Sequence, residues 1–176
     1  EDGDFVSLDL SAAIGDARLI TYILSREERA WHLSACRLGP CLLQFGVDGA
    51  PHVASGKLDP GRIAFLVTGS ASAVRFCNGH EVDAGSLFAW GAGADVAGQV
   101  PKPGDWTLFS APSEAVSRAA AEAGLARGEV ATGPLTTTPE EAAAFKKLFS
   151  ADGLYFPSIT VGSLKQQGFE EGTWHG

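Results

Sequence analysis

Apolar residues in this chain occur in short runs that turn residues interrupt. Between residues 31 and 38, more apolar and more polar positions alternate, which is typical of an antiparallel sheet with one wet face. Short runs rich in β-branched and aromatic residues predict strands. They span residues 19–24, 31–38, 41–45, 52–55, 63–67, 73–76, 87–90 and 106–109. Most are separated by Gly39-Pro40, Asp48-Gly49, Asp59-Pro60-Gly61, Gly69-Ser70 or Asn78-Gly79. This pattern predicts a mainly β fold, a jelly roll or β-barrel.

Two of the turns are specific enough to predict hairpins. Asn78-Gly79 favours a type I′ turn because both residues tolerate positive φ. Asp83-Ala84-Gly85 predicts a second reversal, immediately before the strand at 87–90. Two hairpins so close together favour an antiparallel architecture.

Helical spacing appears mainly near the C-terminal end. Pro112 precedes a run of alanines and predicts a helix over 112–123. Thr138 and Glu141 form a capping box that predicts a second helix over 139–149. A short helix is also expected near residues 9–14, before Gly15. We therefore expect a barrel over 1–110, a helical segment over 111–150 and a linker or tail over 151–176.

Composition and charge narrow the classes of function. The 176 residues are 45% hydrophobic and 19% charged, which suits a folded globular domain. The net charge is -8 and the basic residues are scattered. The chain therefore lacks the attraction between a basic surface and phosphates that dominates nucleic-acid binding. Cys36, Cys41 and Cys77 have no metal-type spacing and are expected to be reduced thiols. Without a membrane-length apolar run or a signal-peptide pattern, we expect a cytoplasmic protein that does not bind membranes.

Several of these segments resemble the N-terminal cupin-like sensor domains of AraC-type transcriptional regulators. One is the Pro-Gly turn and buried strand within residues 58–67. The others lie further along the chain, and the resemblance covers roughly residues 5–150. They are Asn78-Gly79, the run from Asp83 to Phe88, Gly91-Ala92-Gly93, Gly104-Asp105-Trp106 and Ser110-Ala111-Pro112.

The resemblance implies a cupin-like jelly roll followed by two α-helices. It also implies a ligand-sensing and dimerisation domain that binds a small-molecule effector, forms a homodimer and has no enzymatic activity. The helices at 112–123 and 139–149 are then candidates for the dimer contact, although they are equally suited to closing the barrel. In such regulators DNA is bound by a helix-turn-helix unit, which this chain lacks, so DNA contact is expected only through a segment outside it.

The alternative is a cupin-fold metal-dependent enzyme, such as a dioxygenase or isomerase. Metal-binding cupins use imidazoles that converge from adjacent strands, commonly as His-x-His, and this chain has no such pair. His32, His52, His80 and Glu81 are the remaining candidate ligands. We expect isolated histidines, no metal and no cofactor. Neither a nucleophile elbow nor a complete dinucleotide-binding glycine motif is present.

Aromatic residues in the predicted strands suggest a ligand pocket. An apolar interior can bury a small molecule while a few polar groups set its orientation. A structural role in filling the core remains open for each ring. The predicted ligand-binding residues are Trp31, Phe45, Phe65, Arg75, Phe88 and Trp90.

Overall fold

A computed structural model describes residues 6–9, 15–25, 31–69, 74–83, 86–122, 130, 132–135 and 158–161. The strands are β1 (Val6–Asp9), β2 (Ala17–Ile23), β3 (Trp31–Leu38), β4 (Cys41–Val47), β5 (His52–Leu58), β6 (Arg62–Thr68), β7 (Arg75–Cys77), β8 (His80–Val82), β9 (Leu87–Trp90), β10 (Asp95–Val100), β11 (Asp105–Pro112), β12 (Gly133–Leu135) and β13 (Ser158–Val161). The helix α1 (Ser113–Glu122) follows β11. The prediction of a mainly β chain is confirmed.

The strands form two antiparallel sheets that pack face to face. Sheet I has the order β1-β2-β5-β10-β7-β8, and sheet II has the order β12-β9-β6-β11-β4-β3-β13. Neither sheet closes on itself, so the molecule is a sandwich and the expectation of a closed barrel is wrong. Apolar side chains on the two inner faces meet as in other sheet-on-sheet packings. The buried core includes Leu19, Leu58, Ala64, Leu66, Cys77, Val82, Phe88 and Trp90.

One of the two predicted hairpins is present. Asn78 and Gly79 connect β7 to β8 with positive φ angles of 49° and 82°, as a type I′ turn requires. The prediction of a second hairpin is wrong, because β8 belongs to sheet I and β9 belongs to sheet II. The segment after Asp83 therefore carries the chain from one sheet to the other.

The helix predicted over 112–123 is confirmed as α1, which contacts β6 and β11. The helix predicted over 139–149 lies outside the described residues. The short helix expected near 9–14 is wrong at Asp9, which ends β1, and its remainder also lies outside them. Among the described residues, no helix has both the length and the apolar character needed to span a membrane.

The predicted strand runs leave out β1, β8, β10, β12 and β13, of which only β8 is implied by the Asn78-Gly79 hairpin. β10 lies in the centre of sheet I, where it pairs with β5 and β7. β12 pairs with β9, and β13 pairs with β3, so short pieces of the expected helical segment and tail extend sheet II. The sandwich is therefore assembled from strands that are distant in sequence.

Candidate functional site

A cavity of about 150 Å³ lies between the inner faces of the two sheets. Most of its wall is apolar, and the polar side chains come from a small group that includes Asp48, His52 and Arg75. Sheet I contributes Leu19, Thr21, His52, Ala54, Arg75, Phe76, Cys77, Val96, Gly98 and Val100. Trp31, His32, Leu33, Val47, Leu66, Trp90, Trp106 and Leu108 come from sheet II, and Asp48 follows β4. We call this space the intersheet cavity.

A buried ion pair forms part of the cavity wall. Arg75 Nη2 lies 2.6 Å from Asp48 Oδ2, and both side chains are almost completely excluded from solvent. The same nitrogen also lies 3.2 Å from the Gly104 carbonyl oxygen. The second carboxylate oxygen of Asp48 accepts a hydrogen bond of 2.9 Å from Trp106 Nε1. Because Arg75 lies in sheet I and Asp48 follows a strand of sheet II, the pair joins the two sheets.

His52 and Trp31 lie next to this pair and also line the cavity. Their ring centroids are 5.0 Å apart with a tilt of 58°. His52 Nδ1 lies 3.0 Å from the Ala50 carbonyl oxygen, and a carbonyl only accepts, so this nitrogen carries the hydrogen. Burial lowers the pKa of His52 below 6.5, and the nearby Asp48 carboxylate only partly offsets that effect. His52 is therefore neutral near pH 7.

Two buried donors at the cavity have no partner among the described residues. They are Arg75 Nε and Trp31 Nε1. A buried donor without an acceptor costs roughly 1–3 kcal/mol, so such groups need an explanation. Both side chains line the intersheet cavity, but neither of these nitrogen atoms presents surface to it.

Cys77 lies on the same wall, and its thiol has low reactivity. Burial raises the pKa of the Cys77 thiol to about 12. The thiolate is the reactive form, so this cysteine is a poor nucleophile and a poor metal ligand. It acts as part of the apolar lining.

The structure brings three of the six predicted ligand-binding residues to the cavity: Trp31, Arg75 and Trp90. Phe88 is completely buried and packs on Trp90 at a centroid distance of 4.7 Å, so it supports the wall without lining it. Phe65 stacks on Phe109, 6.3 Å away, and does not line the cavity. Phe45 is 42% exposed and does not line it either.

The alternative metal site does not assemble. His80 and Glu81 are exposed on β8, whereas His32 and His52 line the intersheet cavity. Among the residues that the structure describes, no three His, Cys, Asp or Glu side chains are grouped closely enough to hold a metal ion. Of these four candidate ligands, only His32 and His52 line the same space.

Sequence reasoning missed Asp48 and Trp106 as parts of the site and weighed His52 only as a metal ligand. Asp48 follows the apolar strand β4, where Asp48-Gly49 has the composition of an ordinary turn. Its partner Arg75 is 27 residues away on the other sheet. No local pattern signals a contact of that kind.

No family model, curated protein or solved structure matches this chain. The resemblance to AraC-type sensor domains is therefore supported by the sequence motifs alone.

Proposed function

We propose that this chain is a ligand-binding domain that holds a small, mostly apolar molecule between its two sheets. The observation that carries the proposal is the intersheet cavity, with its apolar walls and its buried Arg75–Asp48 pair. An apolar cavity of about 150 Å³ is large enough to accept a guest the size of benzene. A few polar groups at one part of an apolar wall are the usual arrangement in small-molecule sites.

A single substitution, Gly98→Leu, can fill the cavity. A Cβ atom added to Gly98 would meet only Ala54 atoms, at 3.8 and 3.9 Å, which are ordinary contacts. Gly98 lines the cavity from the centre of sheet I. The Gly98→Leu variant therefore places a side chain in the space that a ligand occupies, without a backbone clash.

Thermal denaturation in the presence of toluene tests the proposal. A ligand that binds only the folded state raises its stability, by about 2.7 kcal/mol at one hundred times Kd. We expect toluene to raise the Tm of the wild-type protein but not that of Gly98→Leu. The matched control is Ala97→Leu, since Ala97 is an exposed neighbour on the same strand and should leave the response intact. A response that survives in Gly98→Leu contradicts binding in this cavity.

We propose further that the domain is a cupin-like jelly roll that acts as the sensor and dimerisation domain of a transcriptional regulator. The sequence motifs support this role, together with α1, none of whose residues is fully buried. A ligand shifts a subunit equilibrium only as far as it binds one arrangement more tightly. Light scattering after size exclusion, with and without toluene, should show a dimer whose dissociation constant changes on binding. A monomer under both conditions contradicts the dimerisation role.

A further inference from the structure

We propose that the ligand of the intersheet cavity is a neutral, single-ring-sized molecule with one hydrogen-bond donor, a hydroxyl or N–H group, which donates to Nε2 of His52. This inference rests on the proposed binding function and specifies the chemical class of the ligand. It depends on where His52 points, which of its ring nitrogens is occupied, and what else the cavity wall offers.

Strand β5 directs the side chain of His52 into the cavity. Successive side chains of a strand point to opposite faces, so His52 and Ala54 share one face of β5. Both residues line the intersheet cavity. The His52 ring reaches the opposite wall, because its centroid lies 5.0 Å from that of Trp31 in sheet II. Its Nδ1 atom turns back to the Ala50 carbonyl oxygen, so Nε2 lies on the part of the ring that extends away from β5.

Nε2 of His52 is an acceptor that the protein leaves open. Because Nδ1 carries the hydrogen of the neutral ring, Nε2 has a lone pair and can only accept. It makes no hydrogen bond to the residues that the structure describes. In that part of the chain, the fully buried side-chain polar atoms without a partner belong to Trp31, Gln44, Arg62 and Arg75. Nε2 is not among them, so it keeps accessible surface although His52 as a whole is only 7% exposed.

The charged groups on the wall are already paired with each other. Asp48 Oδ2 lies 2.6 Å from Arg75 Nη2, and Asp48 Oδ1 accepts from Trp106 Nε1 at 2.9 Å. The guanidinium and the carboxylate together leave no net charge. An ionic ligand would lose its hydration on entering an apolar cavity without gaining a free counterion, and that loss is costly. The wall therefore favours a neutral ligand whose donor is accepted by His52.

The size of the cavity limits the remainder of the molecule. A volume of about 150 Å³ accommodates one aromatic ring with a small substituent. Phenol and toluene are a matched pair of probes of this size, because a hydroxyl and a methyl group occupy similar volumes. Phenol is uncharged at pH 7.5, whereas benzoate presents a similar ring with a negative charge.

Calorimetric titration of the wild-type protein with these three probes at pH 7.5 tests the inference. A hydroxyl buried without an acceptor would weaken the binding of phenol by about tenfold or more relative to toluene. Since His52 supplies an acceptor, we expect phenol to bind at least as tightly as toluene, and benzoate to bind more weakly than either. Weaker binding of phenol than of toluene, or binding of benzoate as tight as that of phenol, would overturn the inference while leaving the binding function in place. If none of the three binds, the proposed function itself fails, and the inference fails with it.

Two variants locate the acceptor. His52→Leu removes Nε2 and keeps an apolar side chain of similar size, so toluene should now bind about tenfold more tightly than phenol. Thr21→Val is the matched control, since it removes a buried hydroxyl that also lines the cavity, on the strand that pairs with β5. In Thr21→Val, phenol should still bind at least as tightly as toluene. An affinity ratio that is unchanged in His52→Leu, or that reverses in Thr21→Val, contradicts the assignment.

A measurement on the wild-type protein covers the case in which His52→Leu does not fold. In ¹⁵N-labelled protein, the Nε2 resonance of His52 should move upfield with phenol but not with toluene, because its lone pair accepts a hydrogen bond only from phenol. The ring nitrogens of His80, which is exposed on β8, should respond to neither probe. Equal shifts of the His52 Nε2 resonance with both probes would also overturn the inference.

Discussion

Two arginine–aspartate pairs, one buried and one partly buried, join the sheets of this protein and lie at opposite ends of β4. One is Arg75–Asp48, next to Val47 at the end of the strand. The other is Arg62–Asp16, which lies near the start of β4 because Arg62 Nη1 donates to the Pro40 carbonyl oxygen at 2.7 Å. Each pair places its arginine in one sheet and its aspartate next to the other.

The two pairs differ in what surrounds them. Arg62 Nη2 contacts Asp16 and lies 3.1 Å from the hydroxyl of Ser110, which itself donates to Asp16. Neither Arg62 nor Asp16 lines the intersheet cavity, whereas both Arg75 and Asp48 do. Both arginines have a buried Nε without a partner among the described residues, so that feature alone does not mark a site. The two pairs therefore differ in whether they border the intersheet cavity.

Replacing the aspartate of each pair should give the largest difference in unfolding free energy between the two ends of β4. Asp48→Ala leaves the Arg75 charge buried and also removes the acceptor of Trp106, so we expect a loss of about 3–5 kcal/mol of unfolding free energy. Asp16→Ala should lower the unfolding free energy by less, about 1–3 kcal/mol, because its pair is more exposed. The side chains of Arg62 and Asp16 are 14% and 12% exposed, whereas those of Arg75 and Asp48 are 6% and 3% exposed. Urea denaturation measures both values. Equal losses of unfolding free energy in the two variants would contradict a difference between the two pairs.

Glycine substitutions test the packing at the same two ends. A Cβ atom on Gly46 would lie 2.2 Å from the ring of Trp106, so Gly46→Ala must displace the indole that donates to Asp48. We expect a loss of about 1–3 kcal/mol together with weaker toluene binding. Gly61→Ala is the control near Arg62, since a Cβ there meets nothing within 4 Å. Its stability and its toluene affinity should stay close to the wild-type values.

Because of His52, the unfolding free energy of the protein should decrease in acid. Its pKa is below 6.5 in the folded state because of burial, so the unfolded protein binds more protons as the pH falls. The unfolding free energy is therefore highest above pH 6.5 and decreases as the pH falls toward the pKa of His52 in the folded protein. The slope is at most about 1.4 kcal/mol per pH unit. Urea denaturation between about pH 5 and 6.5 measures this slope while most carboxylates remain charged. The slope should be smaller in His52→Gln, and an unchanged slope would exclude His52 as its source.

Thiol reactivity gives the smallest and most local test. With a pKa of about 12 and a buried side chain, Cys77 should react with an aromatic disulfide at least about tenfold more slowly than the partly exposed Cys36 and Cys41. Toluene in the cavity should slow the reaction of Cys77 further and leave the rates of the other two cysteines unchanged. Comparison of wild-type and Cys77→Ala time courses identifies the slow phase. Rapid modification of Cys77 in the folded protein would contradict its burial in the cavity wall.

The sequence predicted the elements whose signals are local. The Asn78-Gly79 turn, the strands at 31–38 and 87–90, and the helix after Pro112 all depend on neighbouring residues, and the structure has each of them. β10 was missed because its sequence Asp-Val-Ala-Gly-Gln-Val contains few strongly β-forming residues. Its central place in sheet I comes from pairing with β5 and β7, which are distant in sequence.

The candidate site was predicted less completely, for a related reason. Aromatic residues in strands identify an interior but not which face each ring occupies, because a shift of one residue reverses the face. Phe65 is the neighbour of Leu66, which lines the cavity, and so points to the other face. Phe88 shares a face with Trp90, yet only Trp90 lines the cavity. The Arg75–Asp48 pair depends on how the two sheets are superposed, and no short motif encodes that arrangement.

Intermolecular nuclear Overhauser effects show most directly whether bound toluene lies between the two sheets. We expect contacts from its ring and methyl protons to Leu66, Trp90 and Leu108, which line the intersheet cavity. Contacts confined to Phe45, Phe65 and Phe109, which lie outside the cavity, would place toluene on the surface of sheet II and would contradict binding between the sheets.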